Sequence, residues 1–211
     1  MTAGDFWSEH STNLKDGQEW HVAPSGAVEL HMLANEKQCD VYFEVDTTDD
    51  GSFDLSVKIE DDLEGEEFSQ TNKIEITDET RQRLRVVQTE QGDGDHLATG
   101  VEVIPESCGG LWQDYVKDLG QDETWIVEPD TGEAIEVHSI VAGGDFELFI
   151  EQDTNGDGTY DLSIKIDKML AGQISQQNQI ELSSSRNQRL KLKQTSSGSS
   201  SYVVTGRVIP D

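Results

Sequence analysis

Apolar and polar side chains alternate along much of the chain. Over residues 39–45, Cys39, Val41, Phe43 and Val45 fall between Asp40, Tyr42 and Glu44. Over residues 53–59, Phe53, Leu55, Val57 and Ile59 alternate with Asp54, Ser56 and Lys58. A period of two puts every second side chain on one face, which is the pattern of a half-buried strand. The same reasoning expects strands near 19–23, 27–33, 72–77, 82–89 and 97–104. Turn-forming runs such as Gly92-Asp93-Gly94-Asp95 separate them. Seven short strands at this spacing predict an antiparallel sandwich. A helical turn or short helix is expected near Trp7 and Trp112, and a short helix over 61–68.

The pattern then repeats. Trp7, Leu14 and Trp20 return as Trp112, Leu119 and Trp125. Asp46, Asp50, Gly51, Asp54 and Leu55 return as Asp153, Asp157, Gly158, Asp161 and Leu162. Gln82-Arg83-Leu84 returns as Gln188-Arg189-Leu190, and both copies close on Val-Ile-Pro. About a third of the aligned positions are identical. A repeat of this length is a self-contained domain rather than a solenoid unit. The expected fold is all-β: two tandem homologous antiparallel β-sandwich domains, jelly-roll or immunoglobulin-like. Their bounds are read as 1–105 and 111–211, with 106–110 as a linker of small residues.

Composition changes the picture next. The 211 residues carry 43 Asp and Glu against 15 Lys and Arg, a net charge of −28. The acids are spread along the chain, which suits a protein hydrated in concentrated salt, where the Debye length falls to about 3 Å near 1 M; the competing reading is an acidic docking surface for a cationic partner. A surface this negative excludes a general nucleic-acid binder. No run of apolar residues is long enough to span a membrane. The excess is uneven: the first copy has net charge −18 and the second −10. The N-terminus, Met1-Thr2-Ala3-Gly4-Asp5, lacks the basic and apolar regions of a signal peptide, so synthesis in the cytoplasm is expected.

The most distinctive local motif is the run 153–161, Asp-Thr-Asn-Gly-Asp-Gly-Thr-Tyr-Asp, between two alternating stretches. Calcium takes six to eight hard oxygen ligands, and four oxygen-bearing side chains at alternate positions of a sharp turn can supply several of them. The run resembles the calcium loops of integrin-type and dockerin-like modules. That resemblance implies Asp153, Asn155, Asp157 and Asp161 as ligands, with the carbonyl of Thr159 added. The first copy offers Asp46, Asp50 and Asp54, but Thr48 stands in place of Asn155. The ion would be structural. The competing reading is a hairpin loop rich in Asp, Asn and Gly because those residues favour turns.

The scarce positive charge is also concentrated. Arg81, Arg83 and Arg85 alternate on one stretch, and Arg189, Lys191 and Lys193 on its counterpart, so these two runs hold six of the fifteen bases. They are expected either to grip an acidic protein neighbour or to pair with acids on adjacent strands, such as Glu75 and Glu181. Cys39 reads as a buried thiol, with a disulfide to Cys108 as an alternative. The repeated pairs Trp7/Trp112 and Trp20/Trp125 suit core or domain-docking positions, with ligand platforms as the alternative. No repeated positions assemble a catalytic set, so a non-enzymatic role is expected. The composition and tandem architecture resemble virion structural proteins of haloarchaeal tailed viruses, of the capsid-decoration, turret or tail type. That resemblance implies partners in a homo- or hetero-oligomeric protein assembly, with no nucleic acid and no membrane, and a place in the virion. The alternative is a calcium-dependent carbohydrate- or surface-binding module.

Overall fold

The computed structural model describes residues 5–63, 74–77, 80–103, 110–169 and 180–209. The chain divides into two compact units, Met1–Ser107 and Cys108–Asp211. The first contains β1 (Phe6–Leu14), β2 (Glu19–Val22), β3 (Ala27–Asn35), β4 (Cys39–Val45), β5 (Leu55–Leu63), β6 (Ile74–Thr77), β7 (Gln82–Gln88) and β8 (Gly94–Glu102). The second repeats them as β9 (Leu111–Gly120), β10 (Thr124–Val127), β11 (Ala134–Ala142), β12 (Phe146–Gln152), β13 (Leu162–Met169), β14 (Ile180–Ser183), β15 (Gln188–Gln194) and β16 (Ser199–Ile209). No helix occurs among the described residues, and so none that could cross a membrane.

Among the described residues each unit has eight strands rather than seven. The additional strand is the Trp7 segment, where the sequence suggested a helical turn. Its apolar content is low, and alternation there is weak. It is held at a sheet edge by its antiparallel ladder with β8, from Phe6 opposite Val101 to Leu14 opposite Gly94. Backbone pairing therefore decides its conformation more than side-chain pattern does. Of the expected helix over 61–68, Asp61 to Leu63 continue β5, and 64–68 lie outside the described residues.

All pairings are antiparallel. The first unit has sheets β1-β8-β3-β6 and β2-β7-β4-β5; the second has β9-β16-β11-β14 and β10-β15-β12-β13. Among the described strands, only β4–β5 and β12–β13 are hairpins between consecutive strands; within each unit the other consecutive strands lie in opposite sheets. Eight strands in these two orders form a jelly roll. Inward residues of both sheets meet in one core per unit. In the second unit Trp125, Val127, Phe146, Leu148, Leu190 and Leu192 of one sheet pack with Ile135, Val137, Ile140, Leu182, Tyr202 and Val204 of the other. Trp20 and Trp125 are buried, whereas Trp7 and Trp112 are only partly so.

Cys39 is fully buried, and burial, with Asp40 beside it, pushes its thiol up to about 12. It behaves as a small apolar residue. Cys108 lies outside the described residues.

Candidate functional site: the acidic hairpins and the outer sheet face

The two consecutive-strand hairpins carry the acidic runs, and both loops close on their own peptide groups. The Asp153 carboxylate accepts N–H groups of Gly156 (2.7 Å), Asn155 (3.2 Å) and Asp157 (3.3 Å) through Oδ1, and of Gly158 (2.7 Å) through Oδ2. Asn155 Oδ1 accepts the N–H of Asp157, and Asp157 Oδ1 that of Thr159. Asp161 accepts the N–H of Thr154 at 2.8 Å. The first copy builds the same loop. Asp46 accepts N–H groups of Asp49, Gly51 and Thr48, Asp50 accepts Ser52, and Asp54 accepts Thr47. Chain reversal uses left-handed residues at matching positions, Asp49 and Gly51 in one loop, Gly156 and Gly158 in the other. Glycine and Asp reach that region at low cost.

Asp46 and Asp153 sit at the strand ends, largely shielded by their loops. Shielding alone would raise their carboxyl pKa values. The peptide donors outweigh it and hold both below the ordinary range. Thr48 makes the first loop as readily as Asn155 makes the second, because the central acceptor in each is the leading Asp. The carboxylate oxygens face peptide N–H groups, and among the described residues no three His, Cys, Asp or Glu side chains converge as a metal site requires. In this arrangement the leading aspartate of each loop is engaged by the loop's own peptide groups. Asp153→Ala is expected to speed amide hydrogen exchange across residues 155–158, whereas Asp157→Ala speeds it at Thr159 alone. Calorimetric titration of calcium into wild type and Asp157→Ala tests the ion directly: a heat of binding present in wild type and lost in the variant would establish it, and equal heats in the two would refute it.

Beside each loop, the outer face of the sheet carries a six-residue cluster that recurs in both units. Its centre is Glu44, buried although it points away from the core, and its counterpart Glu151. Arg83 lies directly opposite Glu44 in register and gives Nε and Nη2 to Oε2, at 2.8 and 2.7 Å. Arg85 Nε and the Ser56 hydroxyl reach Oε1, at 2.7 and 3.2 Å. In the second unit Arg189 gives Nε and Nη2 to Glu151 Oε2, at 3.0 and 2.8 Å. Lys191 and Ser163 bind Oε1. Each cation also covers an aromatic ring: Arg83 over Phe53 (3.7 Å), Arg85 over Tyr42 (4.0 Å), Arg189 over Tyr160 (3.5 Å) and Lys191 over Phe149 (4.9 Å). Phe53 and Tyr160 belong to the acidic loops, so these stacks pin each hairpin tip to the sheet.

The basic runs are therefore paired within their own sheets, and two details of the sequence reading change. The paired acids are Glu44 and Glu151, not Glu75 and Glu181. The latter lie in the other sheet of their units, opposite Glu29 and Glu136. Arg81 is not on β7. It occupies the preceding turn with φ of 53° and pairs with Asp49 at 3.0 Å. Lys193 pairs with Asp122 at 2.9 Å. Only Arg83/Arg189 and Arg85/Lys191 are equivalent positions. Phe53 and Tyr160, the aromatics beside the acidic loops, lie beneath guanidinium groups instead of forming an open stacking platform for sugars.

Alternation did not reveal a second repeated device. Gln88 and Gln194 are fully buried at the ends of β7 and β15. Their amides donate to the carbonyls of Glu90 and Gly92, and of Ser196 and Gly198, which clamps the turn to the last strand. The remaining oxygen meets His96 Nε2 at 3.2 Å in the first unit and the Tyr202 hydroxyl at 3.1 Å in the second. Burial holds the His96 imidazole below its ordinary pKa and pushes the Tyr202 phenol up to about 12. The signal available was the recurrence of Gln88-Thr89 as Gln194-Thr195.

The fold and this site define a class: a tandem jelly-roll protein whose distinctive chemistry lies on sheet faces and hairpin tips. No protein-family model matches the sequence. Gp30 of Haloferax tailed virus 1 is 31% identical over 104 residues, covering 47% of this chain and 90% of Gp30. The chain belongs to the same family as Gp30. The match accounts for nearly all of Gp30 and about half of this chain, so that relative is about the size of one unit. Among solved structures, a fucolectin from striped bass serum aligns over 96% of this chain and 86% of its own, with 12% identity and a TM-score of 0.28. The major capsid protein P2 of bacteriophage PM2 aligns over 96% and 97%, with 10% identity and a TM-score of 0.35. Similarity at these scores carries no argument about function.

Proposed function

We propose that the chain is a structural component of a haloarchaeal tailed-virus particle, of the capsid-decoration, turret or tail type, acting by packing against other proteins and not by catalysis. The observation that carries this reading is the family shared with Gp30 of Haloferax tailed virus 1. Two further features support it. The net charge of −28 suits a protein that must stay hydrated in concentrated salt. The jelly roll is a fold used by viral capsid domains, though also by lectins, so the fold alone does not choose between them.

The test is physical association with the particle. The chain is expected to co-sediment with infectious particles through a density gradient at constant stoichiometry. Antibody against it should label their surface or tail in electron micrographs. Infectious particles free of the chain would overturn the reading.

A further inference from the structure

One imidazole of the first unit is buried between two side-chain amides. His96 is 2% exposed, and its partners Asn35 and Gln88 are 5% and 0% exposed. Nδ1 lies 2.9 Å from Asn35 Oδ1, and Nε2 lies 3.2 Å from Gln88 Oε1. The Gln88 amide is held in one orientation, because its NH2 group donates to the carbonyls of Glu90 and Gly92, each at 2.7 Å. Gln88 Oε1 therefore accepts, and His96 carries a proton on Nε2. The other nitrogen is free to change. A neutral ring needs the NH2 end of the Asn35 amide at Nδ1; a charged ring needs its oxygen, reached by turning that amide over.

The surrounding elements bring little charge to the ring. Asp95, beside it on β8, and Glu36, just after β3, favour the charged form, and burial outweighs both. Ser11 of β1 lies opposite it in register, Trp20 of β2 has its ring centroid 6.4 Å away, and the neutral Cys39 thiol of β4 lies opposite Gln88. The turn that Gln88 holds carries the Lys37–Glu90 ion pair. The second unit builds the same clamp without an imidazole. Ala142 lies opposite Tyr202 as Asn35 lies opposite His96. The Tyr202 hydroxyl donates to Gln194 Oε1 at 3.1 Å, and burial pushes that phenol up to about 12, so it stays neutral.

We propose that His96 is a proton-operated latch of the first unit: in a medium turning acid it takes a second proton on Nδ1, and the Gln88 clamp loosens while the second unit stays closed. The proton comes from solvent, and Asn35 turns its oxygen to the ring. The resulting charge is buried beside Trp20 and two neutral amides, so opening to water is then favoured. Burial holds the folded ring below the ordinary value of 6.5, so the unfolded chain binds this proton more tightly. The stability His96 contributes is complete above pH 6.5 and is lost as pH falls towards the lower, folded value.

Amide hydrogen exchange of the full chain in molar potassium chloride tests this, compared between about pH 7.5 and about pH 5 after correction for the chemical exchange rate. The probes are the N–H groups of Gln88 and Thr89, bonded to the Gln18 and Gln38 carbonyls, and those of Gln194 and Thr195, bonded to Glu123 and Asp145. Protection at Gln88 and Thr89 is expected to fall severalfold in acid, with none lost at Gln194 and Thr195. Asn35→Ala with His96→Tyr, the pair found in the second unit, should abolish the fall. His21→Gln should leave it in place; that imidazole, on the outward face of β2, is also held below its ordinary value, by burial and by Arg83. Unchanged protection at Gln88 and Thr89 overturns the proposal, as does an equal loss in both units. So does a loss that survives the double substitution or disappears with His21→Gln. Should the double variant not fold, the wild-type ring is followed by NMR, and titration of His96 at or above pH 6.5 overturns the proposal.

Discussion

Replacing Glu44 by glutamine is expected to lower the stability of the first unit by about 3 kcal/mol, the lower end of the range for removing one partner of a buried ion pair. The carboxylate is buried under Arg83 and Arg85, and both guanidinium groups are themselves about four-fifths shielded. Without it, two partly desolvated cations remain side by side, and the stacks on Phe53 and Tyr42 hold them there. The cost should shrink when Arg83→Gln accompanies Glu44→Gln, since the two changes remove one shared interaction. Chemical denaturation of the single and double variants measures this. The pH dependence has a definite sign. Burial alone would raise the Glu44 carboxyl pKa, but Arg85 and Arg83 outweigh it and hold it below the ordinary value of 4.5. The folded state thus binds that proton more weakly than the unfolded state. The contribution of Glu44 is complete above pH 4.5 and is lost as pH falls through the lower, folded value. Glu151 behaves alike, with burial opposed by Lys191 and Arg189. Glu44→Gln should flatten the acid limb of the stability curve in the first unit and leave that of the second intact.

Gly206→Ala is expected to cost about 3 kcal/mol, the upper end for forcing extra volume into a packed site. Gly206 on β16 lies opposite Val137 on β11, beside the irregularity between Val137 and Ser139. A Cβ at that position would stand 2.0 Å from the Glu136 carbonyl oxygen and 3.0 Å from its carbon. Those atoms are backbone, so no side chain can move aside; the strands must separate or the bulge must shift. Gly100 repeats the arrangement against the Glu29 carbonyl oxygen, at 2.2 Å. Gly26→Ala is the control, because a Cβ there meets nothing within 4 Å. Thermal unfolding of the three variants should show large losses for Gly206→Ala and Gly100→Ala and almost none for Gly26→Ala. Both glycines serve close backbone approach at a bulge, a role strand alternation does not reveal.

Much of the fold was legible because its inward and outward positions obey a period of two. Val41, Phe43 and Val45 are buried where alternation places them, as are Leu84 and Val86. The edge strands β1 and β9 were not legible, because their side chains contribute little to the core and a ladder with β8 or β16 holds them. At the site, the basic run and the acidic loop were visible as unusual sequence. The residue joining them, Glu44, looked like any other outward acid on an alternating strand. It is engaged by Ser56 from β5 and by Arg83 and Arg85 from β7, with Arg83 in turn stacked on Phe53 of the loop between β4 and β5.

Sequence alone determined the duplication, the all-β class and the uneven charge of the two halves, since each is written in residue order, periodicity and composition. Tertiary structure decided the rest. It chose the jelly roll over the immunoglobulin-like order, because connectivity between sheets depends on long-range pairing. It turned the aspartates of the hairpins toward their own peptide groups. It also left Leu162, Ile164 and Ile166 exposed while burying Leu55, Val57 and Ile59. Nearly identical strands differ there because burial belongs to what packs against a strand, and a strand's own sequence does not contain that information.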